Sequence, residues 1–305
     1  MRWDDFRRSD NVEDDRDSGG GFSGGGFGIP VGRGGLGIGT IVVLGLIGWA
    51  FGIDPGVLIG GAEILSGGGS QYQQSLPQPA PRAGTPKDQT GQFVAAVLGN
   101  TEDVWTGIFR ASGRQYQAAP LRLYRGGEQG GCGFAQAAMG PFYCPLDKRI
   151  YLDTSFFAEM QQRFHGCTGK ACEFAEAYVI AHEVGHHVQD LLGILPKAQS
   201  QQRAAGSKAA ANAIQVRVEL QADCLAGVWA NQSDQRWKSI EAGDVEAALQ
   251  TAAAIGDDRL QKQAQGYVVP DAFTHGTSAQ RQRWFTKGLK EGKVSACDTF
   301  AAASL

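Results

Sequence analysis

The chain has almost no excess of either charge: 28 Lys and Arg stand against 31 Asp and Glu over 305 residues, a formal net charge of −3. With no basic stripe and no interleaved aromatics, nothing here marks a nucleic-acid surface, and none is expected as a partner. Internal repeats are absent, which sets aside solenoids and arrays. Lysine and arginine are missing altogether between Arg33 and Arg82. More than thirty polar or glycine-rich residues precede the first apolar run and no small-residue cleavage site is obvious, so a removable signal peptide is not expected. Histidine is scarce too, with five in all, yet three of them fall between 182 and 187.

What is present first is an uncharged run from Gly34 to Ile53, with Ile41-Val42-Val43-Leu44 at its centre and Trp49-Ala50-Phe51 near its end. As a helix it would span ~30 Å, the hydrocarbon thickness of a bilayer. Arg2, Arg7, Arg8, Arg16 and Arg33 precede it, and the positive-inside rule then sets the N-terminus in the cytoplasm. The expected organisation is a disordered cytoplasmic tail (1–33), a single transmembrane helix (34–53), a flexible linker (54–88) and a globular domain (89–305). That makes a single-pass membrane protein whose large domain is periplasmic or extracellular. Gly35/Gly39 and Gly48/Gly52 have the small-residue spacing of packed membrane helices, but in so glycine-rich a run this fixes no oligomeric state.

All six cysteines lie beyond that run, an even number that suits disulfides in an oxidising compartment. Locality favours Cys132–Cys144 and Cys167–Cys172, leaving Cys224–Cys297. A second metal site at Cys167, Cys172 and His165 is the rival, with too few ligands of suitable spacing.

Ala181-His182-Glu183-Val184-Gly185-His186 contains His-Glu-x-x-His. On a helix, residues four apart sit about 40° apart around the axis, so His182 and His186 can face one metal ion. Glu183 lies between them with a carboxylate free to carry a proton. The upstream run from Glu173 to Ile180 has no Pro or Gly and is apolar at helical intervals, while Gly193 and Pro196 mark a stop. Imidazole pairs suit Zn²⁺, which lowers the pKa of a bound water to ~7. A catalytic zinc needs a third protein ligand. Glu219 and Asp223, again four apart on a Pro-free run from Ser207 to Ala230, supply two candidates: one to ligate, the other to accept the free N–H of a ligating histidine. His187 and Cys224 point elsewhere around their helices.

Together these motifs resemble the gluzincin arrangement of zinc metallopeptidases. More closely, Met1-Arg2-Trp3-Asp4-Asp5, Ala138 to Pro145, the helix through Gln189, Glu219 to Gly227 and Phe273 to Ser278 resemble the bacterial neutral zinc metallopeptidase family of the YpfJ type. The resemblance implies one Zn²⁺ per chain held by His182, His186 and Glu219, with Glu183 as general base and Asp223 as partner of His182. It also implies a zincin-like fold and a peptide or protein substrate. Gluzincins bind extended peptides on an edge strand before the zinc helix, a place taken here by Gly140, Phe142 and Tyr143; these residues otherwise close the sheet and position Cys144. A downstream histidine stabilises the oxyanion in several gluzincins, which points to His275, whose other reading is a loop residue bonding backbone or Asp271. Cys167 and Cys172 look like an addition to the family pattern.

The remaining pattern predicts a helix over Gln92–Phe109, a strand at Leu121–Tyr124, and two strands at Phe142-Tyr143 and Arg149–Leu152. Helices follow over Ser155–Phe164, Val245–Ile255 with Asp244 as N-cap, and from Ser278 behind a Thr277/Gln280 capping box. This is a helix-rich α+β domain with a small sheet. The expected activity is peptide hydrolysis outside the membrane; the alternative is a zinc-stabilised envelope protein that binds partners and cleaves nothing, or a zinc hydrolase of cell-wall stems. Glu183 favours hydrolysis, since a structural zinc does not need it.

Overall fold

The computed structural model describes residues 1–16, 82–83, 86–136, 140–163 and 171–305. Five strands form one sheet in the order β2 (Arg82–Ala83), β1 (Val12–Asp14), β3 (Leu121–Tyr124), β7 (Arg149–Asp153), β6 (Phe142–Cys144). β1 pairs parallel with β3 and β3 with β7, whereas β6 runs antiparallel to β7 and, among the described residues, has no sheet partner on its other edge. β4 (Gly127–Gly130) and β5 (Gly133–Gln136) form a separate hairpin. The strands of the main sheet carry Val12, Leu121, Leu123, Ile150 and Leu152 into the core, each at most 1% exposed.

Helix α1 (Gln89–Ala111) starts at Asp88, whose side chain accepts from the Gly91 amide, and buries Phe93, Val94, Val97, Leu98 and Trp105. α2 (Ser155–Arg163) follows the sheet, then α3 (Ala171–Leu191) and α4 (Ile194–Arg203). α5 (Lys208–Trp237) is capped by Ser207 and is buried on all sides from Val218 to Ala230, the pattern of a central helix rather than an amphipathic one. α6 (Asp244–Ala254), α7 (Asp257–Gln265) and α8 (Ser278–Glu291) complete the helices, and α5 packs against α1, α3, α4 and α8. The Thr277/Gln280 capping box forms as expected. Gly243, not Asp244, is the N-cap of α6.

Two expectations need correction. Residues 1–16 are no disordered tail: Met1, Phe6 and Val12 are buried in the core, and β1 lies inside the sheet. Their charged, polar spelling hid three apolar anchors spaced along a mostly irregular segment. The folded unit therefore joins residues 1–17 to 81–305 and does not begin at Gln89. Residues 34–53 lie outside the described residues, and among those described no helix is long and apolar enough to cross a membrane. A chain crossing a bilayer once between β1 and β3 would separate two strands that are hydrogen-bonded side by side, so the expected orientation does not fit this sheet. Past the expected stop at Gly193, the chain resumes as a helix over Ile194–Arg203.

Cys132–Cys144, which locality favoured, and Cys224–Cys297, the pair then left over, are disulfides. Cys172 is also disulfide-bonded, while Cys167 lies among residues 164–170, outside the described residues.

Candidate active site

α3 and α5 cross where Gly185 meets Ala222: a Cβ on Gly185 would stand 3.0 Å from the Ala222 carbonyl oxygen. That close approach brings Glu219 of α5 onto the two imidazoles of α3. Glu219 Oε2 lies 3.2 Å from His182 Nε2 and 3.4 Å from His186 Nε2. One ligand atom from each of the three residues falls within 4.8 Å of the others. Two donors held at ~2.0–2.1 Å by a tetrahedral zinc stand ~3.3 Å apart, so this donor set fits that ion in chemistry and spacing. His182, Glu183 and Glu219 are each 6% exposed, while the His186 side chain at 13% opens the site towards solvent.

Each imidazole is fixed from behind. Asp223, fully buried, accepts from His182 Nδ1 at 2.9 Å, which leaves the Nε2 lone pair facing Glu219. Gln189 does the same for His186: its Oε1 lies 2.9 Å from Nδ1, and its amide donates to the Val218 carbonyl and to Gln221. Gln189 was missed as a functional residue, although its position one helical turn after His186 was a usable signal. The other carboxylate oxygen of Glu219 accepts from Gln215.

Burial alone would push the Asp223 carboxyl up, but Arg281 and then His182 outweigh it and bring it down to about 2. Burial opposes charge on His182, and the Asp223 and Glu219 carboxylates reverse that and raise it to about 10. Metal ions compete for the same lone pair, so loading the site releases protons. Glu183 moves the other way from Glu219: burial pushes its carboxyl up, and His182 and His186 only partly offset this. The main-chain amide of Tyr143 on β6 also favours its charged form, more weakly than the two histidines.

Of the expected peptide-binding residues, Phe142 stacks on Tyr151 with ring centroids 5.0 Å apart. The Tyr143 hydroxyl donates to Asp190 at 2.9 Å and sits 3.1 Å from His187 Nδ1. Both rings are thus used in packing, and Gly140 turns the chain at φ +71° just ahead of them. What β6 offers a ligand is its main chain on the free edge of the sheet. His187 faces away from the three ligands, with Nε2 2.6 Å from the Gln117 carbonyl, as its helical direction required.

His275 lies outside the three-ligand cluster and takes Asp257 rather than Asp271 as its partner. Asp257 Oδ2 accepts from the amides of Thr274, His275 and Gly276, and Oδ1 lies 3.3 Å from His275 Nδ1. The ring is 44% exposed. Against desolvation, which lowers it, Asp257 and Glu219 raise the His275 pKa. Nothing before α7 was placed in the fold pointed to Asp257.

A family model described as "Putative neutral zinc metallopeptidase" matches residues 1–300. The Escherichia coli K12 protein YpfJ is 47% identical over 302 residues, covering 98% of this chain and 99% of that one. The Mycobacterium bovis protein Mb2605 is 43% identical over 235 residues, 73% of this chain and 75% of its own length. Mycobacterium tuberculosis Rv2575 aligns to the same extent. No solved structure matches the chain. With the match running from the first strand of the sheet through the site to the final helix, the chain belongs to the neutral zinc metallopeptidase family that this model describes.

Proposed function

We propose that this protein is a zinc-dependent peptidase in which His182, His186 and Glu219 hold the metal. One observation carries the reading: three ligand atoms converge within 4.8 Å, with a buried fourth group, Glu183, beside them that the metal does not need. Bound zinc supplies a Lewis acid and lowers the pKa of water to ~7. Glu183 takes a proton from the attacking water and returns it to the leaving amine. Its raised pKa suits that exchange. An extended peptide laid on the outer edge of β6 places its scissile bond over α3, since β6 both lies at the edge of the sheet and packs against α3. His275, tethered by Asp257 and close enough to feel Glu219, offers a cation to the developing oxyanion.

Two disulfides support work in an oxidising compartment. The test is cleavage of a diverse peptide mixture read by mass spectrometry, with zinc content measured on the same samples. Glu183→Gln should retain zinc and lower turnover by about 10²–10⁴-fold. If a cellular phenotype survives Glu183→Gln and is lost in His182→Ala, the protein binds partners through its zinc fold and cleaves nothing.

A further inference from the structure

Behind Asp223 lies a charge that the peptidase chemistry has not used. Arg281, on α8, is 2% exposed, and Asp223 on α5 is fully buried. The guanidinium grips the carboxylate with two parallel bonds, Nε to Oδ2 at 2.8 Å and Nη2 to Oδ1 at 2.8 Å. Oδ1 also accepts from the Tyr178 hydroxyl at 2.5 Å and from His182 Nδ1 at 2.9 Å. Arg281 Nη2 lies 3.2 Å from the Tyr178 oxygen as well, so arginine, tyrosine and carboxylate form one closed set of bonds across α3, α5 and α8.

Resting on the zinc site proposed above, we infer that Arg281 is a positioning residue for the metal centre, acting through Asp223 on the orientation and tautomer of His182. A carboxylate held only by His182 is free to rotate. Fork–fork pairing removes that freedom: the plane of Asp223 is set by two bonds, one to each carboxylate oxygen. His182 Nδ1 then has only an acceptor before it, and Nε2 keeps its lone pair on the Glu219 side. Tyr178, one turn before His182 on α3, locks the same oxygen from a second direction. Lysine would supply the charge without the plane.

The test uses the full chain as wild type, Arg281→Met, Arg281→Lys and Tyr178→Phe. Zinc affinity is measured by competition with a chelator, the visible spectrum is recorded after Co²⁺ substitution, and the metal-free proteins are melted. Arg281→Met is expected to weaken zinc binding about 10–100-fold and to shift the cobalt bands, with Arg281→Lys recovering part of the affinity and Tyr178→Phe also weakened. A purely structural role lowers the melting temperature and leaves the affinity and spectrum of the folded protein at wild type, which overturns the inference. Should Arg281→Met not fold, Arg281→Lys decides alone: wild-type affinity and bands there overturn it equally. If the wild-type chain takes up no zinc, the peptidase reading falls and this inference with it, an outcome distinct from failure of the variants.

Discussion

At the scale of single residues, the site is a set of charges that keep one another ionised, and acid should expose this. Asp223 has its carboxyl brought down to about 2 from an ordinary value of 3.8. A depressed carboxyl contributes stability above its unfolded pKa and loses it as pH falls through the folded one. The difference corresponds to about 2 kcal/mol, present at pH 5 and gone below pH 2. Near pH 3 the metal-free wild type should therefore take up about one proton more on unfolding than Asp223→Asn, a difference readable from the slopes of unfolding free energy against pH. Equal slopes would mean that Arg281 does not hold the carboxylate ionised. His275 makes a separate prediction. Its replacement by Ala should leave zinc content intact and lower kcat by about 10²–10³-fold, the usual consequence of removing one oxyanion donor. Lost zinc instead would assign His275 to metal binding.

Elements are placed by what their crossing points lack. α5 and α8 meet so closely at Gly288 that a Cβ there would stand 1.9 Å from the Cys224 carbonyl oxygen. Gly288→Ala must therefore separate the two helices, pulling Arg281 from Asp223. The expected cost is about 1–3 kcal/mol by thermal or urea unfolding, together with weaker zinc binding. A normally stable variant would show that the crossing has slack. Such contacts explain which parts of the fold were legible in the sequence. His182, Glu183 and His186 announce themselves because ligand spacing and helical period coincide on one helix, and Glu219 and Asp223 repeat that spacing on another. Long periodic runs gave α1 and α3 nearly to their ends and the start of α5, whose last two turns, past Ala230 to Trp237, are polar and were not read as helix. Gly185 and Gly288 decide which helices touch, yet a glycine within a helix spells only lower propensity. Arg281 and Asp257 are charged residues in polar stretches, and burial alone distinguishes them from a solvated face. β1 has three residues, too few for period-two alternation to register, and its partner β3 lies more than a hundred positions further on.

For the whole molecule, that short strand carries the largest consequence. Residues 1–17 and 81–305 belong to one folded unit, with β1 standing between β2 and β3. Removing residues 1–88 to make a soluble domain from Gln89 would delete β1 and β2, bare the edge of β3, and take Met1, Phe6 and Val12 out of the core. Burying such side chains stabilises by ~1.5–3 kcal/mol each, so the deletion should cost on the order of 5 kcal/mol, comparable with the entire stability of many domains. A chain in which residues 1–17 are joined to 81–305 by a short Gly-Ser linker should unfold in urea at a markedly higher midpoint than 89–305 alone. The same pairing governs topology, because strands in one sheet share one compartment. Cysteines placed at the exposed positions Asp5 and Ser304 should react alike with a membrane-impermeant maleimide in intact cells, both labelled or both protected. Labelling of Ser304→Cys with protection of Asp5→Cys would restore the single-crossing arrangement that the arginines of the first 33 residues imply, and would require β1 to leave the sheet.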